Sequence, residues 1–195
     1  MFKVIFRLKS VAPLFFGKHV TEKVKDNETR DQHELRTWPL KVHVMEDGTL
    51  FFPPFGVKNT LEEAAGWLGR KIKGEGQSTY RKRFLRGILV VEPLLLFNVN
   101  GEPATMDDIV PLELFVPSDG KRGGSKRVAK IFPMLDKWEA IGSCYIIDGK
   151  ITPELLKEHL VAAGAFIGFG SMRIGNGGTN GRYEVTHFAS EVIAE

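Results

Sequence analysis

The sequence TPELLKEHLVAAG, residues 152–164, carries a strong helix signal, with both the start and the end of the helix marked. Thr152 is a residue type that caps helix N-termini, Pro153 suits the first helical position, and Glu154 places an acid in the first turn. Five apolar or aromatic residues then recur at helical spacing and predict one buried face: Leu155, Leu156, His159, Leu160 and Ala163. Gly164 follows as a candidate C-terminal cap.

Strand-like segments lie on both sides of this helix. Residues 138–147 precede it and residues 182–188 follow it, and both contain β-branched and aromatic residues. At the start of the chain, Val4, Phe6 and Leu8 alternate with charged residues, which predicts a half-buried strand.

An earlier helix and a further strand lie between these segments. The helix is expected to begin near Asn59 or Thr60, because either residue could cap it. Its apolar face is predicted from four residues at helical spacing: Leu61, Ala64, Ala65 and Leu68. Residues 86–97 form an apolar strand interrupted at Pro93.

The order of these elements is strand, helix, strand, strand, helix, strand, which is typical of the split βαβ, ferredoxin-like arrangement. We therefore predict an α+β fold with one domain over residues 1–195. An inserted hairpin is expected over residues 40–52, around the turn-forming sequence Glu46-Asp47-Gly48-Thr49. Long insertions are expected as a polar arm over residues 17–37, a loop excursion over residues 98–133 with a short strand at residues 112–115, and a glycine-rich loop over residues 164–181.

Composition excludes several classes of protein. The 195 residues include one cysteine, Cys144, which excludes an internal disulfide and a multi-thiolate metal site. No apolar run reaches the roughly 20 residues of a membrane span, and charges interrupt the apolar N-terminus. We expect a cytoplasmic protein without a cofactor or a membrane partner. The adjacent acids Asp107-Asp108 and Glu62-Glu63 point in different directions and predict no metal cluster.

Charge is distributed unevenly along the chain. The net charge is only +3, yet 12 of the 27 basic residues and one of the 24 acids lie within residues 70–86 and 121–130. Such single-signed segments are typical of polyanion binding, although solvated surface charge is the alternative. The predicted phosphate contacts are Lys71, Lys73, Arg81, Lys82, Arg83, Lys121, Arg122, Lys126 and Arg127.

The glycine-rich loop is the second candidate binding element. Glycines such as Gly168 and Gly170 would allow a phosphate backbone to approach closely. Arg173, Arg182 and Tyr183 flank the loop and could contact phosphates and stack on bases. The loop lies between a helix and a following strand, the reverse of a dinucleotide-binding fingerprint. The alternative is a surface loop without a ligand.

Two stretches resemble a known family. The sequences Ala162-Ala163-Gly164, Gly168-Phe169-Gly170-Ser171-Met172-Arg173 and Gly181-Arg182-Tyr183-Glu184-Val185 are similar to the glycine-rich C-terminal signature of the RAMP superfamily of CRISPR-associated proteins. Residues 50–61 resemble the entry into the first helix of RAMP backbone subunits. With residues 133–138, these stretches also resemble small phage-encoded relatives.

This resemblance implies a function. It implies a ferredoxin-like core of the RRM and RAMP type that binds single-stranded RNA in an antiviral complex and stacks as repeated subunits along the strand. The polar arm would then lie across the guide RNA. Our leading hypothesis is a non-catalytic, single-stranded nucleic-acid-binding oligomer whose partners are RNA, rather than DNA, and RAMP-type subunits.

Two alternatives remain open at this level. The first is a metal-independent endoribonuclease, for which His33 and Asp31 are the candidate catalytic residues and His19 and Asp26 are further histidine and aspartate positions. The second is a phage protein that mimics a RAMP subunit and inserts into a host complex. Trp67 and Trp138 are expected in the core.

Overall fold

The computed structural model describes residues 1–118 and 126–193, which form a mixed α+β fold. The strands are β1 (Phe2–Ser10), β2 (Leu14–Phe15), β3 (Phe51–Phe52), β4 (Ile88–Leu89), β5 (Leu94–Phe97), β6 (Val110–Pro117), β7 (Arg127–Leu135), β8 (Glu139–Ile146) and β9 (Tyr183–Val192). The helices are α1 (Arg30–Thr37), α2 (Pro54–Leu68), α3 (Arg81–Gly87) and α4 (Pro153–Ala162). None of the helices in the described residues combines the length and apolarity needed to cross a membrane.

The larger sheet has the strand order β3-β5-β8-β1-β9, and β4 also pairs with β8. All of its pairings are antiparallel. Val4, Phe6 and Leu8 of β1 are buried, which confirms the predicted alternation. These side chains belong to one core with Leu61 of α2 and Leu160 of α4, so both helices cover the same face of the sheet.

A second antiparallel sheet has the order β2-β7-β6. It lies largely within residues 98–133, which the sequence predicted as a loop excursion with a short strand at residues 112–115. That short strand lies inside the longer β6, which pairs with β7 along its whole length. Lys121 and Arg122, two of the predicted phosphate contacts, lie outside the described residues.

The predicted polar arm is partly a helix. Residues 30–37 form α1, whose capping box pairs Thr29 with Gln32. This helix docks on β7 through polar groups, since Glu34 accepts a hydrogen bond from the backbone N–H of Ile131 at 2.7 Å. Lys41, paired with Glu34, donates to the carbonyl oxygen of Ile131 at 2.8 Å. The two side chains thus form hydrogen bonds with the edge of β7 where β2 does not pair with it, as a neighbouring strand would.

Three other segments differ from the prediction. Helix α2 begins at Pro54, because proline suits the first helical turn, and not near Asn59. Residues 81–87 form α3, where the sequence predicted a basic loop leading into a strand. The predicted hairpin is reduced to one bridge, between Val44 and Leu50, because residues 38–41 form a 3₁₀ turn.

Helix α4 agrees with its prediction at the N-terminus, where Thr152 accepts a hydrogen bond from the backbone of Leu155 at 3.2 Å. Gly164 does not cap it, because a π-turn over residues 163–167 extends the helix. The predicted face is buried, and His159 is fully enclosed there, stacked on Phe84 with ring centroids 4.2 Å apart. Its Nδ1 lies 2.7 Å from the carbonyl oxygen of Leu155.

The glycines of residues 164–181 are used for internal packing. Gly168 and Gly170 both have φ near +74°, a conformation that favours glycine. A Cβ at Gly168 would lie 2.8 Å from the carbonyl oxygen of Asn180, and one at Gly170 would collide with the carbonyl oxygen of Phe15. At these two positions, the space that was expected to admit a phosphate backbone is therefore filled by the chain itself.

We predict that replacing Gly170 destabilises the protein. Gly170→Ala should lower the free energy of unfolding by about 1–3 kcal/mol, because it combines a strained φ with a backbone collision. Gly149→Ala is the matched control, since a Cβ there meets nothing within 4 Å. Urea denaturation of both variants would measure this. Equal stability of Gly170→Ala and the control would show that the loop is not packed as described.

We also predict a pH dependence of stability that arises at His159. Burial lowers the pKa of this imidazole below its ordinary value, so the folded state disfavours its protonated form. Above about pH 6.5, the pKa of this histidine in the unfolded state, its contribution to the free energy of unfolding should be complete. The free energy of unfolding should decline as the pH falls below that value. Denaturation at a series of pH values should show a weaker decline for His159→Phe, whose ring can still stack on Phe84.

The exposed His187 provides the control for this experiment. His187→Gln should retain the decline of the parent protein. Part of the decline should also persist in His159→Phe, because burial and the nearby charge of Lys18 lower the pKa of His43 as well. An unchanged pH profile in His159→Phe would contradict the prediction.

Candidate nucleic-acid interface

A groove lies between β2, α2 and the glycine-rich loop. Its volume is about 420 Å³, and its walls are β2 with residues 16–19, the first two turns of α2, and the glycine-rich loop. The loop is held against β2 because the N–H of Ser171 donates to the carbonyl oxygen of Phe15 at 2.8 Å. Phe55 of α2 lies at the groove with 65% of its surface exposed.

A second depression continues from the first. It has a volume of about 340 Å³ and shares residues 16–19 and Ser171 with the first groove. Its far wall is built by α1 and β7, including His33, Lys130 and Phe132. Because residues 16–19 and Ser171 line both depressions, the two are adjacent, and we call them together the basic groove.

The basic groove contains both paired and unpaired positive charges. Lys41 is paired with Glu34, and Arg173 forms a two-pronged pair with Glu63 at 2.7 and 2.9 Å. Lys18 and Lys130 are exposed, and within residues 1–118 and 126–193 their ammonium groups form no ion pair. Burial lowers the pKa of His43 in the same groove, and the positive charge of Lys18 lowers it further. The groove therefore offers unneutralised cations to an anion.

The first predicted basic segment lies elsewhere. It surrounds α3, and α3 leads into β4, which pairs with the last residues of β8. The strand β7, by contrast, leads into the beginning of β8. The segments around α3 and β7 therefore connect to opposite ends of β8, whose eight residues span about 24 Å. The described parts of the two segments thus lie at different places in the fold.

Individual side chains of the first segment have different roles. Lys71, Lys73 and Lys82 are exposed, and Arg81 lies 3.8 Å from Glu62. Arg83, predicted to contact phosphate, instead donates to Asp148 at 3.0 Å and to Glu75 at 2.7 Å. Its guanidinium thereby joins two turns of the chain, and hydrogen bonds to Asp148 raise its pKa further. With its guanidinium held by two carboxylates, Arg83 has a structural role in the fold, and its contact with phosphate stays a prediction.

The second basic segment leads into the groove. Lys126 is exposed where the chain enters β7, and it alternates onto the same side of the strand as Lys130 and Phe132. Arg127 points to the other side, and its Nη1 donates to the carbonyl oxygen of Phe115 at 3.2 Å. Of the two, Lys126 is placed to extend the groove.

The residues predicted to flank the glycine-rich loop are largely engaged within the fold. Tyr183 is only 3% exposed and stacks on Phe169 with ring centroids 4.7 Å apart, so its ring is not accessible to a base. Burial also raises the pKa of its hydroxyl. Arg182 does not line either depression, and its buried Nε has no hydrogen-bond partner within the described residues. Arg173 lines the groove but is held by Glu63.

His33 has a carboxylate partner that the sequence did not reveal. Its Nδ1 lies 3.3 Å from Glu28, and hydrogen bonds from Arg36 lower the pKa of Glu28 to about 2. Asp31 is exposed in the first turn of α1. In the parts of the chain that the structure describes, no group of three histidines, cysteines or acids could hold a metal ion.

Sequence reasoning missed several residues of this surface. Lys18, His43, Phe55, Asn59 and Lys130 line the groove, and none was a candidate. The sequence Phe52-Pro53-Pro54-Phe55-Gly56 was a usable signal, because Pro54 starts α2 and leaves the next side chain at the groove. Trp138 is buried as predicted. Trp67 was expected in the core but is exposed, because it lies on the outer side of α2.

Sequence comparison identifies no relative: no protein-family model and no curated protein matches this chain. Among the solved structures with a similar fold, two show the extent of the likeness. One is a chain of the type III-B Cmr-beta complex bound to cognate target RNA, with a TM-score of 0.52 and 8% identity. The other is Cmr6 from Pyrococcus furiosus, with a TM-score of 0.51 and 12% identity.

The extent of these matches differs. The alignment covers 97% of this chain and 60% of the Cmr-beta chain, so this protein spans about three-fifths of the length of the Cmr-beta chain. For Cmr6 it covers 95% of this chain and 99% of the other. At 8% and 12% identity, these matches show that the overall fold is shared.

Proposed function

We propose that this protein binds single-stranded nucleic acid, RNA rather than DNA, in the basic groove, without catalysing a reaction. The observation that carries the proposal is the basic groove with exposed cations at Lys18 and Lys130, which form no ion pair within the described residues. A single strand needs such a track, because its phosphates are held by cations and its bases by aromatic rings. Lys126 extends the track, and the exposed ring of Phe55 can stack on a base.

The arrangement of strands supports a ferredoxin-like core. The elements β1, α2, β5, β8, α4 and β9 follow one another as strand, helix, strand, strand, helix, strand. Within the main sheet, their strands lie in the order β5-β8-β1-β9, with antiparallel pairing throughout. We interpret this as the split βαβ arrangement. β3 and the second sheet are additions that build the groove.

RNA is preferred over DNA for two reasons. The side chains of Asn59 and Ser171 lie in the groove and can bond to a ribose 2′-hydroxyl, which distinguishes RNA. The Cmr-beta structure with a similar fold contains target RNA. By the same likeness we propose that this chain assembles as repeated subunits along a strand, with copies of itself or other RAMP-type subunits as its partners.

The sequence-predicted contacts are revised within this proposal. Lys126 remains in the primary site, while Lys71, Lys73, Arg81 and Lys82 become a separate, secondary basic surface. Arg83, Arg173 and Tyr183 shape the fold. Because Arg173 is held by Glu63, it fixes the glycine-rich loop on α2 and leaves little charge for a phosphate.

A second function has one specific observation in its favour. His33 lines the basic groove and has Glu28 as an orienting carboxylate, as a general base for RNA cleavage would. This pair belongs to the metal-independent ribonuclease alternative. We place it second because Glu28 is already tightly bound to Arg36, an arrangement that also stabilises α1 and the preceding turn.

We predict that binding to RNA depends on Lys18 and Lys130. The double variant Lys18→Gln, Lys130→Gln should bind labelled single-stranded RNA at least about tenfold more weakly, since it loses two phosphate contacts. The slope of log K against log salt should become shallower by about 1.4. Fluorescence anisotropy over a range of salt concentrations measures both quantities.

The matched control for this experiment is Lys71→Gln, Lys73→Gln, which removes two exposed charges from the separate surface. It should retain most of the affinity. If the control weakens binding more than the groove variant does, the strand lies on the other surface. No binding of RNA or DNA at low salt would remove the proposed function altogether.

We predict that the protein leaves RNA intact. Labelled RNA incubated with the protein in EDTA should show no cleavage on a denaturing gel. We expect this because His33 belongs to the hydrogen-bond network that stabilises α1. Cleavage in EDTA that disappears in His33→Ala but persists in Asp31→Ala would replace the non-catalytic proposal with the ribonuclease, and would identify the His33–Glu28 pair as its base. An Asp31-dependent reaction would place the chemistry on the first turn of α1.

A further inference from the structure

Two large aromatic rings are exposed side by side on the helix-covered side of the molecule. Trp67 of α2 is 65% exposed and Phe166 of the π-turn is 49% exposed. Their rings stack with centroids 5.6 Å apart and an interplanar angle of 29°. Leaving so much apolar surface in water is unfavourable, and such patches typically mark interaction sites.

The charges around this pair neutralise one another. One turn before Trp67, Glu63 binds Arg173. Three residues after it, Arg70 binds Glu158 at 2.8 Å. Single strands bind where positive charge is in excess, whereas the centres of protein interfaces are aromatic and poor in net charge. The surroundings of the pair therefore favour a protein partner over a nucleobase.

A complementary apolar depression lies on the opposite, uncovered face of the main sheet. It has a volume of about 370 Å³, and its apolar lining includes Ile5, Met45, Leu95 and Ile141. Ile5 of β1 alternates with the buried Val4 and Phe6, so it points away from the helices. The two charged side chains at the depression, Lys3 and Glu92, are of opposite sign.

We propose that Trp67 and Phe166 of one copy dock into this depression on a second copy. The aromatic pair and the depression are both apolar and close to neutral in charge. The pair projects from the surface, whereas the depression is concave. They lie on opposite faces of the same chain, so the contact is head-to-tail. A head-to-tail contact leaves an unused surface at each end and builds an open row of subunits. The inference rests on the assembly proposed above and identifies its contact surfaces.

The test measures self-association without nucleic acid, by sedimentation velocity over a range of protein concentrations. The parent protein should form concentration-dependent oligomers. Trp67→Ala and Ile5→Glu should each raise the dissociation constant by about 30-fold or more, the effect of removing an interface hot spot. Phe115→Glu is the control, because Phe115 is an exposed aromatic residue on the second sheet and should leave association unchanged.

Mixing the two variants provides the sharper result. Trp67→Ala keeps the depression and Ile5→Glu keeps the aromatic pair, so the mixture should form a dimer with one copy of each and nothing larger. Thermal unfolding establishes that both exposed substitutions leave the fold intact. A contact between two aromatic pairs would instead let Ile5→Glu associate with itself and leave Trp67→Ala monomeric in the mixture, which would overturn the head-to-tail inference.

Other results would also overturn it. A parent protein that remains monomeric, or a Trp67→Ala variant that assembles like the parent, would exclude this contact. If Trp67→Ala weakens RNA binding without changing association, the aromatic pair stacks on bases. Because RNA binding is tested separately through Lys18 and Lys130, failure of this inference leaves the binding proposal intact.

Discussion

The contact between the glycine-rich loop and β2 is the constraint on which the candidate site depends. Ser171 donates to the carbonyl oxygen of Phe15, and Gly170 has no Cβ because that oxygen occupies the space where it would be. This contact fixes β2 of the second sheet to the loop that enters β9 of the main sheet. The groove between them exists because the two sheets are held at this point, with Phe169 and Tyr183 packed beneath the loop.

The second sheet brings both structure and charge to the groove. Its strand β7 would expose an edge at Ile131, and Glu34 and Lys41 cover that edge with hydrogen bonds and with each other's charge. The same arrangement neutralises Lys41, just as Glu63 neutralises Arg173. Lys18 and Lys130, which have no ion-pair partner in the part of the chain that the structure describes, therefore define the path of an anion more closely than the total charge of the chain does.

Local signals in the sequence were sufficient for some elements and insufficient for others. The alternation of β1 and the cap of α4 depend on neighbouring residues, so they were predicted well. Helix α1 was missed because it docks through Glu34 and not through an apolar stripe. The site was predicted poorly because pairing partners lie far apart in sequence: Asp148 is 65 residues from Arg83, and Glu63 is 110 residues from Arg173. The sequence showed the basic charges but could not show which of them were already neutralised.

Photo-crosslinking to single-stranded RNA containing 4-thiouridine, with the crosslinked peptides mapped by mass spectrometry, tests the central claim most directly. A strand in the basic groove would crosslink to peptides that contain residues 16–19 and residues 53–59, around the exposed ring of Phe55. Crosslinks confined to residues 70–86, or to the open face of the main sheet around Ile5, would contradict the account.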